Sequence, residues 1–251
     1  MLQQPGLIGC VLMGGSFALA PKRAGLVRRV VGYSKSPPTT ERARQLRVIA
    51  NPDVVVRYRA GAPLQVSGTV TVPVADIHLD RLDMGVSASP DVVVLAGDLH
   101  RPAQAMAWAR QFAQPTLFVA GNHEFYGSDL VSTLAQLRTH ADGSNVRVLE
   151  RNAWQHGGVR FLGCTLWSDY RLFSSPEQRE AGLRKAQEFV RDFSRIGVAA
   201  DFSERFTPAI SQLLFEQSVQ WLDERFAEPF AGPTVVITHF APARASVAAQ
   251  F

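Results

Sequence analysis

The chain of 251 residues is long enough for one large α/β domain, or for a domain with an appendage. It is 46% hydrophobic and 19% charged, an ordinary globular composition, and no run approaches the roughly 20 apolar residues that span a bilayer. The only cysteines, Cys10 and Cys164, are far apart, which excludes a disulfide framework or a CxxC site and makes a reducing cytoplasm the expected compartment.

The net charge of +4 is unevenly spread. Residues 1–60 hold ten Lys/Arg against two Asp/Glu, whereas residues 61–251 hold sixteen against twenty. A basic arm of this kind can serve nucleic acid or anionic lipid, but it lacks the interleaved aromatics of a nucleic-acid platform. Two segments of different origin are the simpler expectation. The apolar stretch Gly6–Ala20 ends in Ala18-Leu19-Ala20 like a cleavage site, yet no Lys or Arg precedes it, so the first region of a signal peptide is missing.

From Leu7 to about Ile49 the chain reads as a short βαβ-like fragment. Gly9-Cys10-Val11-Leu12-Met13-Gly14 has the outer spacing of a dinucleotide-binding turn, followed by a helix and by a strand over Arg29–Tyr33. This segment, through Gly14-Gly15-Ser16-Phe17-Ala18-Leu19-Ala20 and Val30-Val31-Gly32-Tyr33-Ser34, resembles the N-terminus of prephenate dehydrogenases. The resemblance implies an NADP-linked dehydrogenase fragment. Val11 replaces the middle glycine that lets the backbone approach a pyrophosphate, and Pro21 falls inside the expected helix. Residues 50–69, punctuated by Asn51-Pro52 and Gly61-Ala62-Pro63, read as a linker.

From Val70 onward apolar runs alternate with helical patterns, the signature of an α/β domain over residues 70–251. Strands are expected over Val70–Ala75, Asp91–Ala96, Thr116–Ala120, Val146–Leu149 and Val159–Leu166, with a buried strand over Thr234–Thr238. Helices are expected over Pro102–Phe112, from a Ser128 cap to about His140, over Glu177–Asp192 and over Pro208–Phe226.

Four blocks stand at the ends of these strands: Asp76-Ile77-His78, Gly97-Asp98-Leu99-His100, Gly121-Asn122-His123-Glu124 and His239 after Val235-Val236-Ile237-Thr238. They contain four of the six histidines. Open α/β sheets place their sites at the carboxyl ends of strands. Asp76 and His78 are two apart, so in an extended strand they point the same way. Carboxylate, imidazole and amide oxygen form a mixed donor set suited to Mn, Fe, Zn or Co more than to calcium. Two such ions about 3.5–4 Å apart clamp a phosphoryl group and acidify a bound water. His123 is placed to act as a general acid. His140 and His156 read as surface residues and Cys164 as core. Trp167 and Asp169 read equally as site-lining or as strand-end residues.

In this order and spacing the blocks resemble the calcineurin-like metallophosphoesterases, from about Ala75 to Phe251. Leu166-Trp167-Ser168-Asp169 and Asp192-Phe193 are similar to segments of a bacterial branch of that family. The resemblance implies a four-layer αββα sandwich with two divalent metal ions, one on Asp76, His78 and Asp98 and a second on Asp98, Asn122 and His239. It implies His123 as the catalytic histidine and a phosphate mono- or diester as substrate. Where many members carry an aspartate supporting that histidine, this chain has Arg101; Glu124 and His100 read as neighbours of the histidine more readily than as substitutes. No Gly-His-x-His block follows His239, so the domain is expected to be incomplete at its C-terminus, with three protein ligands per metal. A non-catalytic remnant of a fused gene is the alternative expectation. Neither a membrane nor nucleic acid is an expected partner.

Overall fold

The computed structural model describes residues 91–201 and 203–242, together with the backbone of three short strands nearer the N-terminus. Those are β1 (Gly6–Leu7), β2 (Val55–Arg57) and β3 (Gln65–Ser67). β2 and β3 pair antiparallel within the expected linker, and β1 runs parallel to the next strand, β4 (Val93–Leu95). The rest of the dinucleotide-binding-like segment, the strand expected over Val70–Ala75, and Asp76 and His78 lie outside the described residues, as do residues 243–251.

The described part is mixed α/β. A first sheet has the order β1-β4-β5-β7, with β5 at Thr116–Phe118 and β7 at Val146–Val148, all parallel. Helix α1 (Pro102–Ala109) connects β4 to β5, and α2 (Leu130–Ala141) leads into β7. Alternation along the strands decides which face meets what. Val93, Leu95 and Phe118 join Ala105, Met106, Leu137 and Ala141 of the two helices in one core. Val94, Leu117 and Val119 point the opposite way and join Phe161 and Ile237 of a second sheet in another. Fully burying each such side chain contributes about 1.5–3 kcal/mol.

The second sheet has the order β11-β9-β8, with β8 at Asn152–His156, β9 at Val159–Cys164 and β11 at Thr234–Thr238. β8 and β9 form a hairpin that the apolar pattern does not signal, because in β8 only Trp154 and His156 are even half-buried. The turn is Gly157-Gly158, both with positive φ (56° and 77°), the two-residue geometry that matches strand twist. β9 is central and wholly buried. β11 runs parallel to it but is half-buried, with Ile237 alone fully inside; the expected buried strand is flanked by β9 on one side only among the described residues. Helix α5 (Pro208–Ala227) is tied to this sheet by the Arg160 guanidinium, whose Nη1 donates to the Arg225 carbonyl at 2.8 Å.

Boundaries follow local chemistry. α2 begins at Asp129, not at a Ser128 cap: the Asp129 carboxylate accepts from the Val131 and Ser132 N–H groups, while Ser128 lies in the two-residue strand β6 (Ser128–Asp129). β6 pairs with β10 (Ile196–Gly197). The helix expected over Glu177–Asp192 divides into α3 (Pro176–Phe189) and a short α4 (Asp192–Arg195). Ser175 and Thr207 cap α3 and α5 through side-chain oxygens, each followed by proline at the first turn. Among the described residues no helix is long and apolar enough to cross a membrane.

The sheets pack closely at Gly163, where a Cβ would stand 2.4 Å from Leu149 Cβ and 3.1 Å from Val119 Cγ2. Gly163→Ala is expected to cost about 1–3 kcal/mol, the usual penalty of overpacking, read as a lowered urea midpoint with an unchanged m-value. At the end of the same strand, burial first and the Glu150 carboxylate second push the Cys164 thiol up to about 12. Cys164 is fully buried, so iodoacetamide at pH 8 should leave it unmodified in the native protein and alkylate it in urea, as read by mass spectrometry of its tryptic peptide.

Candidate metal-binding site

The loop after β4 turns sharply. Gly97 (φ 88°) and Asp98 (φ 60°) both occupy the left-handed region, which glycine adopts freely and aspartate tolerates. A Cβ on Gly97 would lie 2.2 Å from Gly121 N, and one on Gly121 would lie 2.2 Å from Asp98 Oδ1. The loops after β4 and β5 therefore touch backbone to backbone. Glycine at both positions is a steric necessity.

Glu124 locks these loops together. It lies in a short 3-10 turn, His123–Phe125, with no solvent exposure. Its carboxylate accepts from Asp98 N (2.8 Å), Leu99 N (2.7 Å) and Gly121 N (2.7 Å). Burial and the adjacent Asp98 carboxylate push its pKa up to about 7, opposed by the N–H donors and by His239. Both Glu124 oxygens thus serve the backbone. His100 Nδ1 accepts from the Arg101 N–H, and Arg101 Nη1 donates to the His123 carbonyl at 2.7 Å, so Arg101 holds the histidine's backbone.

Four of the six residues predicted for the site converge here. Asp98 is buried, with Oδ1 accepting the His123 N–H at 3.0 Å and Oδ2 lying 3.9 Å from His123 Nδ1. His239, delivered by β11 and only 3% exposed, lies 3.6 Å from Asp98 Oδ1 through Nε2. The same Nε2 is 3.1 Å from Asn122 Oδ1. Its Nδ1 lies 2.7 Å from the Ala96 carbonyl, which can only accept, so Nδ1 carries a proton. Asn122 turns its Nδ2 away, to Asp192 Oδ1 at 2.8 Å and to the Tyr126 hydroxyl at 3.3 Å. In the neutral imidazole three lone pairs, from His239 Nε2, Asn122 Oδ1 and Asp98 Oδ1, then face one another. Only a proton or a cation relieves that arrangement.

Among the described residues no three His, Cys, Asp or Glu side chains group to hold a metal; the third donor here is an amide. Asp76 and His78 lie outside the described residues.

Two residues extend the site beyond the expected set. Tyr126 lies beside His123, ring centroids 4.6 Å apart, and donates to Asp192 at 2.6 Å; burial and this carboxylate raise its pKa. Asp192 is buried at the start of α4. Trp167 is core, packing against Phe125, Phe206 and Phe240 at 5.5, 4.5 and 5.5 Å, a floor under both the His123 turn and His239. Asp169 receives the Arg171 N–H in a turn. His140 is exposed and His156 half-exposed.

No family model matches this chain, and no curated protein sequence matches it.

Glu124→Gln replaces one acceptor oxygen by an NH2 group facing backbone donors. A loss of about 1–3 kcal/mol is expected, the cost of leaving buried donors unpaired, measured by urea denaturation. Glu124→Asp, one methylene shorter, should fail to restore stability.

Proposed function

We propose that the chain is a metal-dependent phosphoesterase of the calcineurin-like type, hydrolysing a phosphate mono- or diester. The observation that carries the reading is the convergence of Asp98 Oδ1, Asn122 Oδ1 and His239 Nε2, three acceptor atoms when the imidazole is neutral. A hard or borderline divalent cation fits this set, since carboxylate, amide oxygen and neutral imidazole all serve Mn, Fe, Zn or Co. In this reading Asp98, Asn122 and His239 hold one ion, and Asp76, His78 and Asp98 hold the other. When bound, such a pair lowers the pKa of water toward neutrality and offsets phosphoryl charge. The order of α1 and α2, the first sheet and then the second sheet agrees with the first three layers of a four-layer αββα sandwich.

The chain's own groups divide the remaining work. Asp98 accepts the His123 N–H and so fixes the start of the turn that carries the imidazole. Arg101 holds the same residue through its carbonyl. The His123 side chain is 38% exposed beside a 5% exposed Asp98 carboxylate, able to meet a substrate oxygen and give it a proton as the ester bond breaks. Phe240 packs edge-on against the His239 ring, with Trp167 behind it.

The test is hydrolysis of p-nitrophenyl phosphate and bis(p-nitrophenyl) phosphate by protein stripped with EDTA and reloaded with Mn2+. Activity should require the metal and vanish in Asp98→Ala. His123→Ala should bind Mn2+ normally yet lose about 10²–10⁴ in kcat, the usual contribution of a general acid. Folded, Mn2+-loaded protein that cleaves neither ester ends this reading.

A further inference from the structure

Asn122 is useful as a ligand only if its oxygen faces inward, and a primary amide has two orientations of nearly equal shape. Turned over, its NH2 would face His239 Nε2, 3.1 Å from where Oδ1 now stands, and donate to it. The acceptor cluster would then be closed by hydrogen bonds and would have no demand for a cation. Something must select between the two, and the selecting contacts lie on the far side of the amide.

There the donors and acceptors are fully matched. Tyr126 has one hydroxyl proton, and it goes to Asp192 Oδ1 at 2.6 Å. Asn122 Nδ2 has two, directed to the same Asp192 Oδ1 at 2.8 Å and to the Tyr126 oxygen at 3.3 Å. Asp192 is 6% exposed, on an element 70 positions along the chain from Asn122. An ionised carboxylate accepts only, so the flipped amide would set its own oxygen against a buried anion with no proton between them. Tyr126 cannot relieve this, because its proton serves Asp192.

The geometry points to Asp192 as the positioning residue that fixes the Asn122 oxygen toward His239 and Asp98, with Tyr126 as its partner, making the cluster a cation site instead of a closed hydrogen-bond network. The orientation stands on contacts in the protein alone; its consequence for metal rests on the phosphoesterase reading. The device is built from segments that flank the site, since β10 at the end of α4 pairs with β6 just after Tyr126, and Gly127 N donates to the Arg195 carbonyl at 2.8 Å. α4 therefore carries Asp192 to the amide as part of the same ladder that holds the turn.

The experiment uses 15N-labelled, metal-free protein, with the Asn122 side-chain NH2 pair identified by its loss in Asn122→Asp. In the wild type this pair should exchange slowly, both protons being held inside the protein. Rapid exchange there overturns the proposal without any variant. In Asp192→Ala, checked for folding by far-UV circular dichroism, the pair should shift and exchange faster. Asp192→Asn can donate as well as accept, so it should not restore the wild-type pair. By calorimetry Asp192→Ala should bind Mn2+ about 10–100-fold more weakly, the usual effect of removing a partner of a ligand. An unmoved NH2 pair or wild-type Mn2+ affinity in Asp192→Ala overturns it. If the wild type binds no Mn2+ while the pair still depends on Asp192, the positioning role stands and the phosphoesterase reading falls.

Discussion

A single buried carboxylate determines whether this site exists as an arrangement. Glu124 takes three backbone N–H groups, from Asp98, Leu99 and Gly121, and so replaces the hydrogen bonds that two tight loops cannot make with each other. Buried backbone donors without partners are costly, and here their acceptor comes from the turn that also carries Asn122 and His123. The left-handed conformation at Asp98, unfavourable by itself, persists because the surroundings over-determine it. Strain, clamp and candidate ligands occupy one small volume.

Above that clamp the chemistry is a matter of which atoms have protons. The Ala96 carbonyl takes the His239 Nδ1 proton, and Asp192 with Tyr126 takes those of the Asn122 amide, so with a neutral imidazole what faces the centre is acceptors only. An apolar or fully paired interior would have been the ordinary outcome of folding. The partners that enforce the arrangement come from the end of β4, the turn after β5 and α4.

Much of this was legible in the sequence, for a physical reason. Asp98, Asn122, His123 and His239 follow apolar runs directly, and strand ends in α/β sheets converge, so their meeting required only the correct strand assignments. The partners that orient them were not legible in the same way. Glu124 reaches across 26 and 25 positions and Asp192 across 70, and no periodicity encodes contacts of that span. Asp192-Phe193 drew notice only as a segment similar to a bacterial branch, without a role. β8 escaped the apolar pattern because its residues are largely exposed, although Gly157-Gly158 is a two-residue turn signal that could have revealed it. The Ser128 cap was displaced by one residue because Asp129 offers the stronger acceptor and Ser128 is drawn into pairing with Ile196.

His239 comes from β11 in the second sheet, whereas Asp98 and Asn122 follow strands of the first. The donor set is therefore a gauge of how the two sheets are seated on each other. A partly folded chain with only the first sheet formed has no complete set, and a slip of β11 along β9 by one residue would turn His239 to the opposite face. Occupancy by any cation would join the two sheets at their mouth, in the manner of a rivet between plates. The free energy of binding then becomes resistance to sheet separation, and the site is complete only when both sheets are.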